Sequence, residues 1–550
     1  MNEPTSADPV DGHAAKLAAM TQPESLRSEE YQVWSRGRGV DVWAMLCASI
    51  TGDLETIRSL MARDPNLVEC EYEYFKPIQF AVRENQRAVV DFLLDNGADS
   101  AYEAGDSLVG MARERGYTEL TALFESKLKE RYNVVPEGAA VAAAIRDRDE
   151  AQVRALIDLN PELAHAADER ASRPIHWAAM TRQRWLIDYL LDRGADVNAV
   201  RPDGLRPIHL TNGDYHYRGW RDLPSVALQR HEVLIGYLIA RGADYDLATA
   251  AKLGDLDRVR ELLDQDPSLV NHVPTYSYYT GVPLRNAAGA GHLEVVNLLL
   301  ERGADPNQPE PGIAPHGGAL HSAIGGRHMA VVKVLLEHGA NPNAEVESSG
   351  NCLSMAKFAG APKEMIELIA SYGGVMGADM ADLETLAAML HANPKLRVGE
   401  RLGDPAVMEL ILRYQPDILQ RTPDPTAWWS HGTPKDAEFA RRLMRRGLDP
   451  NRRNWLGITL LHRCAAKGDV AIAEVCLEFG GDINAVETQW SSTPLAWAAR
   501  EGRQEMVAWL LSKGANPKLP EVEPWAHPVE WARRRRHDSI VELLRQHLRR

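Results

Sequence analysis

Cysteine and phenylalanine are both scarce in this chain: five Cys and seven Phe stand among 550 residues. Cys47, Cys70, Cys352, Cys464 and Cys476 are odd in number and show no Cys-x-x-Cys spacing. A disulfide framework and a zinc ribbon are therefore excluded, and the composition suits a reducing compartment. No apolar run approaches the roughly 20 residues of a membrane span. The opening MNEPTSADPVDGHAAKLAAM lacks the basic head and apolar core of a secretory leader. A cytoplasmic location without membrane contact is the expectation. A basic excess is also missing, since 62 Lys and Arg face 77 Asp and Glu for a formal charge of −15. Phosphate backbones require a basic face, so no nucleic-acid partner is implied. GxSxG, HExxH, P-loop and GxGxxG contexts are absent too, which leaves no motif for a metal or cofactor, and none is expected.

What the chain has in abundance is one phrase. LLERGADPN, Leu299 to Asn307, returns as LLEHGANPN, Leu335 to Asn343, and the glycines Gly303 and Gly339 lie 36 residues apart. Variants close at Gly97, Gly194, Gly242, Gly373, Gly447, Gly480 and Gly514. A second phrase opens the same units: RPIHWAA from Arg173, RPIHL from Arg206, VPLRNAA from Val282, ALHSA from Ala319, TLLHRCA from Thr459 and TPLAWAA from Thr493. In four units the Pro slot and the closing Gly are 20 positions apart. Pro at a first helical turn needs no donor and presets the torsion, so each unit opens a short helix. A second helix such as HLEVVNLLLERG follows, with Leu and Val at helical spacing and a Gly suited to a left-handed cap. Such a unit cannot bury its apolar face alone; it must stack on neighbours.

The opening resembles the TPLHxAA of ankyrin repeats, and the chain is similar to bacterial ankyrin arrays. The resemblance implies an all-α solenoid of roughly fifteen helix-turn-helix repeats with projecting hairpin fingers. One continuous, elongated superhelix is expected. The expected divisions are 1–41, a mobile tail and lead-in; 42–375, N-terminal and central repeats; 376–424, degenerate repeats or a bend; and 425–550, C-terminal repeats and cap. The basic WARRRRH, Trp531 to His537, reads as the solvent side of the last capping helix.

Irregularities carry the functional information. Pro207 to Gly242 spans 35 positions, an insertion containing Asp214, Tyr215, His216, Tyr217 and Trp220. Long connections in compact arrays are commonly functional. The 13 Trp and 16 Tyr suit surfaces that contact a partner while staying hydrated. Trp177, Trp497, Trp531 and Phe80 occupy a slot that packs the core. Tyr276, Tyr278, Tyr279 and Trp490 fall on fingers, and Trp428 and Trp429 on an interrupted first helix. In the ankyrin pattern the residues after the paired alanines line the concave face; here they are Gly289, Ala290, Gly325 and Gly326. They floor a recess, or else Gly325 and Gly326 form the interhelical turn. Fingers would bring Tyr276, Tyr278, Tyr279, His316, Glu345, Glu347 and Asn351 over that recess. Arg285 replaces the usual His and either holds an anion or bridges to the next finger.

Two functions follow as expectations. The first is noncovalent recognition of a protein, peptide or glycan in the concave groove, using the ligand-contacting residues Tyr215, His216, Trp220, Tyr276, Tyr278, Tyr279, Arg285, His316, Asn351, Trp428, Trp429 and Trp490. The second is a glycoside hydrolase, with Glu347, Glu345 and Asp214 as candidate acids and bases.

Overall fold

The computed structural model describes residues 16–549 except 33, 102, 105, 215–216, 225–230, 274–280, 311–313, 315, 347–348, 379, 395, 397–403, 420–433 and 522. It is built almost wholly of paired helices. Representative pairs are Pro174–Met180 with Arg184–Leu191, Pro283–Ala290 with Leu293–Glu301, Ala319–Gly325 with Met329–Glu337, and Pro494–Arg500 with Gln504–Ser512. Among the described residues the strands are three two-residue antiparallel ladders, including Glu345–Val346 against Gly350–Asn351.

Local chemistry sets each pair. Second helices begin at Asp53, Asp149, Asp255 and Asp469, whose carboxylates accept a backbone N–H of the first turn. Where another residue holds that position it reaches back to the preceding unit. His292 meets the Lys252 carbonyl at 3.0 Å and His328 that of Gly289 at 3.1 Å, while Gln183 Nε2 donates to Ile145 at 2.8 Å. Finger asparagines strap the other end. Asn307 Nδ2 donates to the Gly339 carbonyl at 2.9 Å, and its Oδ1 accepts the Asn341 N–H at 2.7 Å. The opening-motif histidines are buried: His176 Nδ1 accepts the Arg173 N–H at 3.0 Å and its Nε2 meets the Ala199 carbonyl at 2.9 Å. Burial holds the imidazoles of His176 and His462 down to about 3 and that of His321 to about 4.

Among the described residues the apolar core falls into three clusters, and one of them joins the N-terminal and C-terminal repeats. It contains residues from Leu17 to Val134 together with residues from Met376 to Leu544. The expected elongated array is thus corrected: the ends meet along a seam. Trp455, fully buried, is ringed by Tyr72 at 5.1 Å, Phe75 at 5.6 Å and Phe80 at 6.0 Å. Its indole N–H donates to Glu73 at 2.6 Å, and its carbonyl accepts the Thr21 N–H at 3.2 Å. Lys16 Nζ lies 2.7 Å from both Glu84 and Glu523. Arg115 donates to the Gln489 carbonyl at 3.4 Å, and Arg535 stands 3.5 Å from Glu114.

Two further expectations change with the seam. Leu26 is fully buried and Met20 nearly so, which places residues 16–30 in the packed body instead of a free tail. The basic run at 531–537 is only partly solvent-facing. Arg533 pairs with Glu530 on the surface, whereas Arg534 donates to the Trp525 carbonyl at 2.6 Å and lies over the Trp531 ring at 4.3 Å.

Candidate functional site

The positions three and six residues beyond the Pro slot of a first helix can be compared from unit to unit. In three helices of the seam they carry a ring and a guanidinium, Phe80 and Arg83, Trp497 and Arg500, Trp531 and Arg534, while Leu108–Glu114 has Met111 and Glu114 there and Leu460–Lys467 has Arg463 and Ala466. Trp497 and Trp531 are buried, and their indole N–H groups have partners, Glu487 at 3.3 Å and Ser492 at 2.9 Å. Trp177 likewise donates to Asp168 at 2.7 Å. An indole suits this slot because its N–H reaches a finger acceptor that Leu would leave unsatisfied.

Between Leu247 and Ser371 the same positions hold Ala250 and Leu253, Asn286 and Gly289, Ser322 and Gly325, Met355 and Phe358. This floor is open. Ala290, Gly325 and Gly326 are exposed, and Phe358 is 79% exposed at the end of its helix. The glycines have different reasons. A Cβ on Gly326 would stand 2.4 Å from the His328 ring and 2.8 Å from the Gly289 carbonyl, so that residue belongs to the interhelical turn. A Cβ on Gly325 would meet only Met355 Sδ at 3.5 Å, an ordinary contact. The helix could hold a side chain at Gly325 and does not.

Above this floor, Arg285 bridges to the next finger, with Nη1 at 2.9 Å from Glu310. Glu310 is fully buried, and burial raises its carboxyl against the pull of Arg285. Glu345 is exposed and pairs in register with Asn351. Asn351 is buried as a helix cap, accepting the Ser354 N–H at 3.0 Å and donating to the Val375 carbonyl at 2.9 Å. His316 is exposed on the long finger. Tyr276, Tyr278, Tyr279 and Glu347 lie outside the described residues, as do Tyr215, His216, Trp428 and Trp429.

The remaining candidates lie elsewhere. Trp220 belongs to the short helix Gly219–Asp222. Asp214 is buried, ion-paired to Arg201 at 2.8 Å, and accepts the Tyr217 N–H at 2.9 Å, so its carboxylate is used in holding the insertion together. Trp490 is wedged at the seam end, 4.6 Å from Trp497 and 6.3 Å from Trp531, with Arg500 over its face at 3.9 Å. Sequence reasoning missed Trp455, Phe358, Arg83 and Arg115. For Arg83 and Arg115 a signal existed, since a long cation at an inner position of an array is unusual unless something faces it.

Among the described residues no group of three or more His, Cys, Asp and Glu is placed to hold a metal ion, and no helix is long and apolar enough to cross a membrane.

With this geometry in view, the family model described as ankyrin repeats in three copies matches residues 247–346 and 432–521. The chain carries ankyrin repeats. The first stretch covers most of the open floor and the second forms one side of the seam. Among curated proteins, residues of this chain are 35% identical over 83 residues to palmitoyltransferase Hip14 of Drosophila melanogaster, 15% of this chain and 13% of that protein. A probable E3 ubiquitin-protein ligase, XBOS33 of Oryza sativa subsp. japonica, is 46% identical over 63 residues, 11% of each. Human palmitoyltransferase ZDHHC17 is 31% identical over 86 residues, 16% of this chain and 14% of that protein. The chain spans well under a fifth of the length of these relatives, and the likeness is one of ankyrin segments.

Proposed function

We propose that this protein binds a segment of a partner protein, noncovalently, along the inner face between Leu247 and Ser371. Ankyrin repeats suggest protein interaction, and the shared segments in otherwise different relatives fit a module reused for contact. The observation that carries the reading is the exposed Phe358, at the same helix position as the exposed, uncrowded Gly325 of the preceding repeat. A ring left 79% exposed gives up burial worth about 1.5–3 kcal/mol, which a partner's apolar side chain would recover. The small residues leave room for that side chain to approach backbone. Glu345, Arg285 and His316 supply a polar rim, the arrangement expected around a contact core.

The glycosidase reading gains no support from the same geometry. Asp214 and Glu345 belong to different repeats, and Asp214 is already paired to Arg201.

A peptide-display selection on the full chain tests the proposal. Enriched peptides should lose at least tenfold in affinity for Phe358→Asp and for Gly325→Arg, about 1.4 kcal/mol or more, while the melting temperature stays near that of the parent. Peptides that bind both variants as well as the parent would place the contact surface elsewhere.

A further inference from the structure

The seam buries guanidiniums whose N–H donors do not all find acceptors. Arg83 is 5% exposed; its Nε donates to Glu84 at 2.7 Å, and both terminal nitrogens are buried without a hydrogen-bond partner. Arg115 is 7% exposed, lies over the Trp525 ring at 4.4 Å, and reaches only the carbonyls of Met111 and Gln489 at 3.3 and 3.4 Å. Its Nε is likewise buried and unpartnered. Arg534 comes from the opposite side, bonded to the Trp525 carbonyl, with its own Nε unpartnered. Trp525 thus joins Arg115 to Arg534, and Tyr117 Oη, donating to the Arg83 carbonyl at 3.3 Å, joins Arg83 to the Arg115 segment.

The neighbouring acids are engaged. Glu84 serves Arg83 and Lys16, Glu523 serves Lys16, and Glu114 faces Arg535. Among the described residues no carboxylate pairs with Arg115 or Arg534. A guanidinium does not shed its proton, so the charge remains. Burial depresses the proton affinity of Arg115 and Arg534, and Arg83 pushes Arg115 and Arg115 pushes Arg534 the same way, while Glu84 and Glu114 act the other way on Arg115 and Glu114 and Glu530 on Arg534. Buried donors without acceptors and like charges held side by side call for an anion between them.

The geometry points to a binding site for a phosphate-class oxyanion at the seam, held by Arg83 and Arg115 from the N-terminal repeats and Arg534 from the C-terminal cap. A planar carboxylate offers two oxygens on one edge. A tetrahedral oxyanion presents oxygens in several directions and can meet donors converging from both sides. Because the donors belong to the two ends of the array, the ligand binds the closed form and not an opened one, and its presence favours closure. A free phosphate ion and the phosphoryl group of a small ester share this chemistry.

Titration calorimetry on the full chain, prepared without phosphate or sulfate, tests the site. The probes are inorganic phosphate, pyrophosphate and 2-glycerophosphate, with sodium chloride at matched ionic strength as control. One saturable site is expected; tighter binding of the ester assigns an organic phosphoryl ligand, and tighter binding of inorganic phosphate the free ion. Arg83→Gln and Arg115→Gln should each weaken binding about tenfold or more. Arg533→Gln, on the exposed partner of Glu530, should leave it unchanged. Trp455→Ala, which loosens the seam with every arginine in place, should also weaken it. If a glutamine variant fails to fold, Arg115→Lys, which keeps charge but loses the fork, should still bind more weakly than the parent. Heat no greater than with chloride, or equal affinity in folded Arg115 variants, overturns the site. Peptide binding at Phe358 is read separately and is untouched by either result.

Discussion

The repeats between Leu247 and Ser371 and those on either side of the seam share one scaffold, with the same short first helix, amphipathic second helix and strapped finger. They differ at two positions per unit. A ring and an arginine fill those positions in three helices of the seam, Pro77–Arg83, Pro494–Arg500 and Pro528–Arg534, and there the two ends of the chain pack together. Glycine, serine and asparagine hold them in two of the four central units, Pro283–Ala290 and Ala319–Gly325, and there the face stays open. Closure packs the buried Phe80 against the buried Trp455; openness leaves Phe358 bare. The inner-face composition of a repeat array thus separates surface that holds the molecule together from surface free for a partner.

The comparison breaks most visibly at Trp455. Trp455→Ala should cost about 3–5 kcal/mol, since it removes a fully buried indole that contacts three rings and donates to Glu73. Thermal unfolding measures the loss, and limited proteolysis should show faster cleavage near Glu71 to Phe75 than in the central repeats.

Acidification sharpens it next. His176, His321 and His462 are held neutral, with folded values near 3, 4 and 3, below the ordinary 6.5. The unfolded chain binds the extra protons, so stability is full above about pH 6.5 and falls as pH drops, by about 1.4 kcal/mol per unit for each histidine. That loss is common to both regions. Glu84 belongs to the seam alone: burial raises its carboxyl, but Arg83 and Lys16 overcome this and hold it below the ordinary value. Its contribution is present above the unfolded carboxylate range and is lost as pH falls through the folded value. Hydrogen exchange at stepped pH should therefore show the seam giving way, below about pH 4, more than histidine protonation explains. In Glu84→Gln that excess should vanish.

Glycine substitutions separate structure from vacancy. Gly326→Ala forces backbone or the His328 ring to move and should destabilise by about 1–3 kcal/mol. Gly325→Ala meets only Met355 Sδ at contact distance and should stabilise by about 0.5–1 kcal/mol. Denaturant unfolding distinguishes the two signs. An equal loss at both would make the bare floor a structural requirement.

The fold was legible because its signal is local. Pro at the helix start, paired Ala, Leu periodicity and the closing Gly each act within one unit, and repetition makes them plain. The seam was not legible, because Tyr72 and Trp455 are 383 residues apart and no periodicity links them. Trp497 and Trp531 did read as packed, and their indole partners, Glu487 and Ser492, lie on a neighbouring finger. At the candidate site the exposed Gly325 and the Arg285 bridge to a finger were within reach of spacing arguments. Asn351 and Asp214 read as site residues because polar residues on fingers look alike whether they cap a helix, hold a loop or meet a ligand.

Small-angle scattering on the monomeric full chain tests closure most directly. An open line of roughly fifteen helical pairs stacked about 10 Å apart would extend on the order of 150 Å. The expected pair-distance distribution ends well short of that length in the parent and lengthens in Trp455→Ala. A parent curve as long as the open line, unchanged by the substitution, would contradict the closed array and the division between covered and open inner faces.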